Sequence, residues 1–77
     1  MLIEILKSDD YVFEKMKSAW GNTSFVDKFN TLLDVINIAS ESEEMLLRSI
    51  AMLKLAIKDP DEDLRLVAAD VLEELTN

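Results

Sequence analysis

A chain of 77 residues with one glycine, Gly21, and one proline, Pro60, has almost nothing from which to build tight turns. Strands joined by hairpins need glycine-rich reversals between every pair, so a β fold would have used several. Helices can be joined by ordinary polar residues, and the apolar spacing here is helical. The predicted fold is therefore all-α: a compact four- to five-helix bundle or a stack of antiparallel helical hairpins, spanning residues 1–77 as a single domain. Cysteine and histidine are both missing. A disulfide framework is impossible, and so are thiolate or imidazole metal sites.

Cap signals divide the chain. Ser8-Asp9-Asp10 before Tyr11-Val12-Phe13 predicts a helix running to about Trp20, stopped in a left-handed turn at Gly21-Asn22. Residues 1–6 form either a separate short helix or an extension. Thr23 or Ser24 opens the next helix, with Phe25, Phe29, Leu32, Leu33 and Ile36 on one face and Thr31 among the polar positions between them. Ser40-Glu41-Ser42-Glu43 reads as a capping box. The helix after it, to Ile57, is apolar around most of its circumference, which predicts burial on several sides or contact with another molecule. Asp59-Pro60-Asp61-Glu62 ends that helix and starts the last, with Asp59 as cap and Pro60 at the first helical position. Leu64, Val67, Ala68, Val71, Leu72 and Leu75 make its inward stripe, and Leu66 lies off it.

Sixteen acidic residues against eight basic ones give a net charge of −8. Six acids and four bases fall in residues 1–40; ten acids and four bases fall in residues 41–77. This field repels phosphate backbones, so direct nucleic-acid binding is not expected; an excess of this sign ordinarily just keeps a small protein soluble, and it is also compatible with a basic protein partner. The N-terminal stretch Met1-Leu2-Ile3-Glu4-Ile5-Leu6-Lys7 lacks the basic leader and long apolar core of a signal peptide. Residues 45–57 are too short and too polar to span a bilayer. No membrane association is expected, and the expected location is the cytoplasm.

The second half carries a resemblance. An apolar helix, then Lys58-Asp59-Pro60-Asp61-Glu62-Asp63, then Leu64-Arg65-Leu66-Val67-Ala68-Ala69-Asp70-Val71-Leu72 is similar to a HEAT-type helical repeat over about residues 45–75, in a single copy. Arg65, Ala68, Ala69 and Leu72 match that family's second helix by position. The small pair Ala68-Ala69 would let the two helices approach closely. The resemblance implies a protein-interaction scaffold and brings no catalytic residues.

Three features of the sequence approach known chemistry without reaching it. Asp59, Asp61, Asp63 and Asp70 occupy positions 1, 3, 5 and 12 of a calcium loop, but Leu64 stands where the loop needs glycine. No metal or other cofactor is therefore expected. Acyl carrier proteins share the length and acidity, yet Lys7-Ser8-Asp9, Thr23-Ser24-Phe25 and Ala39-Ser40-Glu41 all lack their Asp-Ser-Leu attachment site. Glu43-Glu44 and Glu73-Glu74 are adjacent on helices and do not face each other, so they do not form an acid–base pair.

Together these features predict a non-enzymatic protein-interaction module: a small adaptor, regulator or complex subunit. The alternative is an acidic inhibitor that mimics nucleic acid and blocks a basic groove. The candidate interaction residues are Trp20, as an aromatic anchor beside Gly21, and Met52 and Leu66, as an apolar stripe left uncovered by so small a core. That stripe would favour a symmetric homodimer.

Overall fold

A computed structural model describes residues 2–77 and contains five helices. They are α1 (Leu2–Lys7), α2 (Phe13–Gly21), α3 (Phe25–Ala39), α4 (Glu43–Ala56) and α5 (Glu62–Thr76). No strand occurs among the described residues. The all-α expectation stands, with the five-helix version realised. Leu2–Lys7 is a helix of its own; Met1, part of that expectation, lies outside the described residues.

The caps explain where the helices begin, and several differ from those predicted. Ser24 caps α3 as expected, its hydroxyl accepting from the Asp27 N–H at 3.3 Å. Ser8-Asp9-Asp10 caps nothing. It closes a local turn, with Ser8 Oγ accepting from the Asp10 N–H, and α2 starts only at Phe13, behind Val12, which offers no side-chain cap. The capping box is displaced by two residues. Ser40 still belongs to the end of α3, its N–H bonded to the Ile36 carbonyl, and extended Ser42 caps α4 through the Met45 N–H. Likewise Asp61, not Asp59, caps α5, accepting from the Asp63 and Leu64 N–H groups. Pro60 therefore precedes the cap instead of opening the helix.

Gly21 is the last residue of α2, and no described residue has positive φ. The Asn22 side-chain amide donates to the Ser18 carbonyl and supplies the helix end that a left-handed glycine would otherwise provide. A Cβ at Gly21 meets nothing within 4 Å. Gly21→Ala is expected to stabilise the protein by about 0.5–1 kcal/mol, through lower unfolded-state entropy and better helix propensity. A lowered melting temperature for this variant would contradict the right-handed geometry here.

One hydrophobic cluster joins all five helices. Leu2 and Leu6 enter from α1, Met16 and Trp20 from α2, Leu32, Val35 and Ile38 from α3. Met52, Leu53 and Ala56 come from α4, and Leu64, Ala68 and Val71 from α5. Helix α4 packs against each of the other four, the central position its all-round apolar sequence predicts. Ala68 is fully buried, as expected of the small pair, but Ala69 faces solvent. On α3 the core stripe is Thr31, Leu32, Val35, Ile38 and Ala39. It is rotated from the predicted face, so Phe25 and Leu33 are exposed instead of buried. Phe13 is exposed at the edge of α2.

The molecule is a slab of 30 × 28 × 17 Å. Its thin dimension leaves room for about two layers of helix, each 10–12 Å across. Only one helix can be surrounded in such a slab, and the others must turn a side outward.

Two polar clamps supplement the core. Arg48 on α4 donates to the Leu6 and Ser8 carbonyls at 2.8 and 3.0 Å, capping the end of α1. Its guanidinium lies 4.6 Å from the Tyr11 ring centre and is paired with Glu44. Asp59 makes the second clamp, described below. Two buried side-chain oxygens among the described residues have no hydrogen-bond partner, the Tyr11 hydroxyl and Ser49 Oγ, the latter at the centre of α4. An orphaned hydroxyl costs about 1–3 kcal/mol, part of which is offset by packing. Ser49→Ala is accordingly expected to raise stability by up to about 1 kcal/mol, measurable as a higher denaturant midpoint; a loss above that size would reveal a bond to the hydroxyl.

Candidate functional site

The three residues nominated from sequence do not form one site. Trp20 is 5% exposed, and its indole Nε1 donates to Asp59 Oδ2 at 3.0 Å. It is an interior anchor between α2 and the turn before α5, because burying both the ring and its N–H needs an acceptor at that depth. Met52 is fully buried at the centre of the core. Neither presents a surface to a partner, which corrects their assignment as contact residues. Of the three, Leu66 alone is exposed, at 59%, on the outer side of α5.

Asp59 is the most constrained polar group described. Its side chain is 4% exposed, and Lys28 Nζ lies 2.7 Å from Oδ2 with its own side chain largely covered. Oδ1 accepts from the Asp61 N–H at 2.8 Å, an Asx turn that folds the chain around Pro60. Lys28 also stands over the Trp20 ring, 5.3 Å from its centre. Burial pushes the Asp59 carboxyl upward, but the hydrogen bonds from Lys28, the Asp61 N–H and Trp20, with the Lys28 charge, bring it below its ordinary value. Arg65 completes the turn by donating to the Asp59 and Pro60 carbonyls at 2.7 and 2.9 Å. The node ties α2, α3 and the start of α5 together; its polar atoms are satisfied by one another.

This arrangement also bears on calcium. The Asp59 oxygens are engaged by Lys28, Trp20 and a backbone N–H, and Leu64 is helical. Among the described residues no three acidic groups are placed to hold a metal ion. Millimolar calcium is expected to leave the amide spectrum of residues 59–70 unchanged. Saturable shifts confined to that segment would overturn this.

What the surface offers is apolar. Between α3 and α5 runs a groove of ≈ 420 Å³ lined by Phe25, Phe29, Leu64, Leu66 and Val67, with Asp63 at its margin. The Phe25 and Phe29 rings stack with centroids 6.1 Å apart and planes within 10°. Val26 and Leu33, both more than half exposed, continue this face along α3 by helical spacing. A smaller patch of ≈ 250 Å³ lies across the molecule between α2 and α4, formed by Tyr11, Phe13, Leu47, Arg48 and Ala51. Sequence reading missed the first because it gave α3 a single stripe. Nine of the fifteen residues of α3 are apolar, too many for one face, and that excess was the available signal.

No helix among the described residues is long and apolar enough to cross a membrane. No known protein family, curated protein or solved structure matches this chain.

Proposed function

We propose that this protein is a non-enzymatic interaction module of the cytoplasm, an adaptor, regulator or complex subunit that binds another protein through helix faces. One observation carries the reading. The core is complete, yet Phe25, Val26, Leu33 and Leu66 remain exposed on neighbouring faces of α3 and α5. Single exposed apolar residues are ordinary on any surface, but a contiguous patch centred on a groove marks a contact surface. The HEAT-like α4–α5 hairpin supports this, since proteins built from such repeats expose helix faces for binding. Nucleic-acid mimicry is less well supported: Leu66 and Val67 interrupt the carboxylates of α5 where a mimic needs an unbroken charged ridge.

The test is paired capture from the native host. Wild type and Leu66→Ser are used as baits, and recovered proteins are compared quantitatively by mass spectrometry. A partner recovered by wild type and depleted at least about tenfold by Leu66→Ser supports the reading; so central a contact is worth 1.4 kcal/mol or more. Identical recovery by both baits would refute it.

A further inference from the structure

We propose that the α3–α5 groove is the seat of a cationic amphipathic helix, a refinement that rests on the interaction-module reading above. The shape comes first. A trough between two packed helices, floored by Leu64 and walled by Phe25 and Phe29 on one side and Leu66 and Val67 on the other, is the form in which an apolar helix stripe is accepted. The stacked phenylalanines give it a rigid wall.

Charge then selects the occupant. Around Leu66, helical spacing places Glu62 and Asp63 one turn before and Asp70 one turn after, all exposed. Helices α3 and α5 contribute only two cations, Lys28 and Arg65. Both are committed to the Asp59 turn, Lys28 to the carboxylate and Arg65 to the two carbonyls. The groove therefore has an apolar floor and an acidic rim with no free counter-charge on either of its helices. A partner helix with leucine or phenylalanine on one face and lysine or arginine flanking it satisfies both. Its cations would meet the α5 carboxylates at the rim, where they steer association and set orientation.

A second copy of this chain fits poorly. A two-fold contact through this face would set Glu62, Asp63 and Asp70 of one α5 against the same residues of the other, between molecules that each carry −8. Like charges in such juxtaposition are strongly unfavourable. The expected homodimer is thus replaced by a hetero-contact.

The experiment uses three synthetic eighteen-residue helical peptides with the same leucine and phenylalanine face: one with lysine flanks, one with glutamine and one with glutamate. Each is titrated into the isotope-labelled full chain at low salt, and amide shifts are followed. The lysine peptide should shift residues 25–33 and 63–70 saturably and bind at least about tenfold more tightly than the glutamine peptide. Its affinity should fall by about tenfold or more between 50 and 300 mM salt. Leu66→Ser should weaken it at least about fivefold. The Asp63→Asn, Asp70→Asn double variant should flatten the salt dependence while leaving the glutamine peptide unaffected. Equal binding of the lysine and glutamine peptides in the groove would overturn the cationic occupant and leave the interaction face standing. Lysine-peptide shifts elsewhere, with residues 25–33 and 63–70 unmoved, would overturn the proposal. So would a dimer in sedimentation at tens of micromolar that Leu66→Ser dissociates, since a second copy would then hold the groove. Failure of the broader reading shows separately, as host capture indifferent to Leu66.

Discussion

Met52→Glu is expected to abolish cooperative folding. The side chain is fully buried, with Leu53 and Ala56 beside it on α4 and the other four helices closed around them. A carboxylate there has no described cation within the core to meet it, because Lys28 and Arg48 are committed at the margins. The group must either ionise in an apolar interior or fold protonated, and each route costs several kcal/mol on top of lost packing. A chain of this length has a total stability of roughly 4–12 kcal/mol. The expected circular dichroism of Met52→Glu at 25 °C is that of a largely unfolded chain. Leu66→Glu, by contrast, should change stability by no more than about 0.5 kcal/mol, since its side chain already lies in water. The pair separates core from surface directly. Equal melting curves for both variants would mean that Met52 is not where the structure puts it.

That contrast also marks how far the sequence could be read. Helix number, the central role of α4 and the outward position of Leu66 were legible because each depends on periodicity within one segment. The rotation of α3 was not. Phe25, Phe29 and Leu33 share a spacing with buried Leu32 and half-buried Ile36, and the choice between stripes was made by what packs against them. Ala68 is buried on α5, which packs against both α3 and α4, and the aromatic side of α3 is left to form the groove wall. The cap registers failed for a related reason. Ser40 and Ser42, or Asp59 and Asp61, are equally good caps locally, and the distinction came from tertiary demand. Asp59 was needed by Trp20 and Lys28, thirty-nine and thirty-one positions away, so the capping role passed to Asp61. A tryptophan buried beside its acceptor looks, in sequence, like any aromatic next to a glycine stop.

The two polar clamps have different consequences for the proposed groove. Arg48 fastens α1 and the 8–12 turn, which lie away from it. Asp59 fastens the start of α5 and, through Lys28, the beginning of α3, the two elements that form the groove walls. A cavity lined by Phe25, Lys28, Pro60 and Leu64 shows that this turn borders the groove's end. Rigidity of the clamp is therefore rigidity of the walls, and a preformed trough lowers the ordering cost of binding.

Asp59→Asn is accordingly expected to be the most damaging single-atom-scale change outside the apolar core. The asparagine keeps the size of the side chain but removes its charge and replaces one acceptor with a donor. Lys28 is then left nearly buried without a counter-ion, and Trp20 Nε1 and the Asp61 N–H compete for one oxygen. Breaking a buried pair in this way costs about 3–5 kcal/mol. The melting temperature should fall by about 12 °C or more at neutral pH, at 4–8 °C per kcal/mol for a domain of this size. The sign of the pH dependence follows from the depressed folded-state pKa. The contribution of Asp59 is fully present above the ordinary value of 3.8 and is lost as pH falls through the lower folded value. The gap between wild type and Asp59→Asn should therefore be constant from pH 7 to about pH 5 and narrow below 3.8. Trp20 fluorescence reports the same event locally. Adding Lys28→Met in the Asp59→Asn background should cost much less than in wild type, because the cation it removes is already unpaired. Additive losses in that cycle, or a gap that widens in acid, would show that Lys28 and Asp59 do not stabilise the turn as a pair.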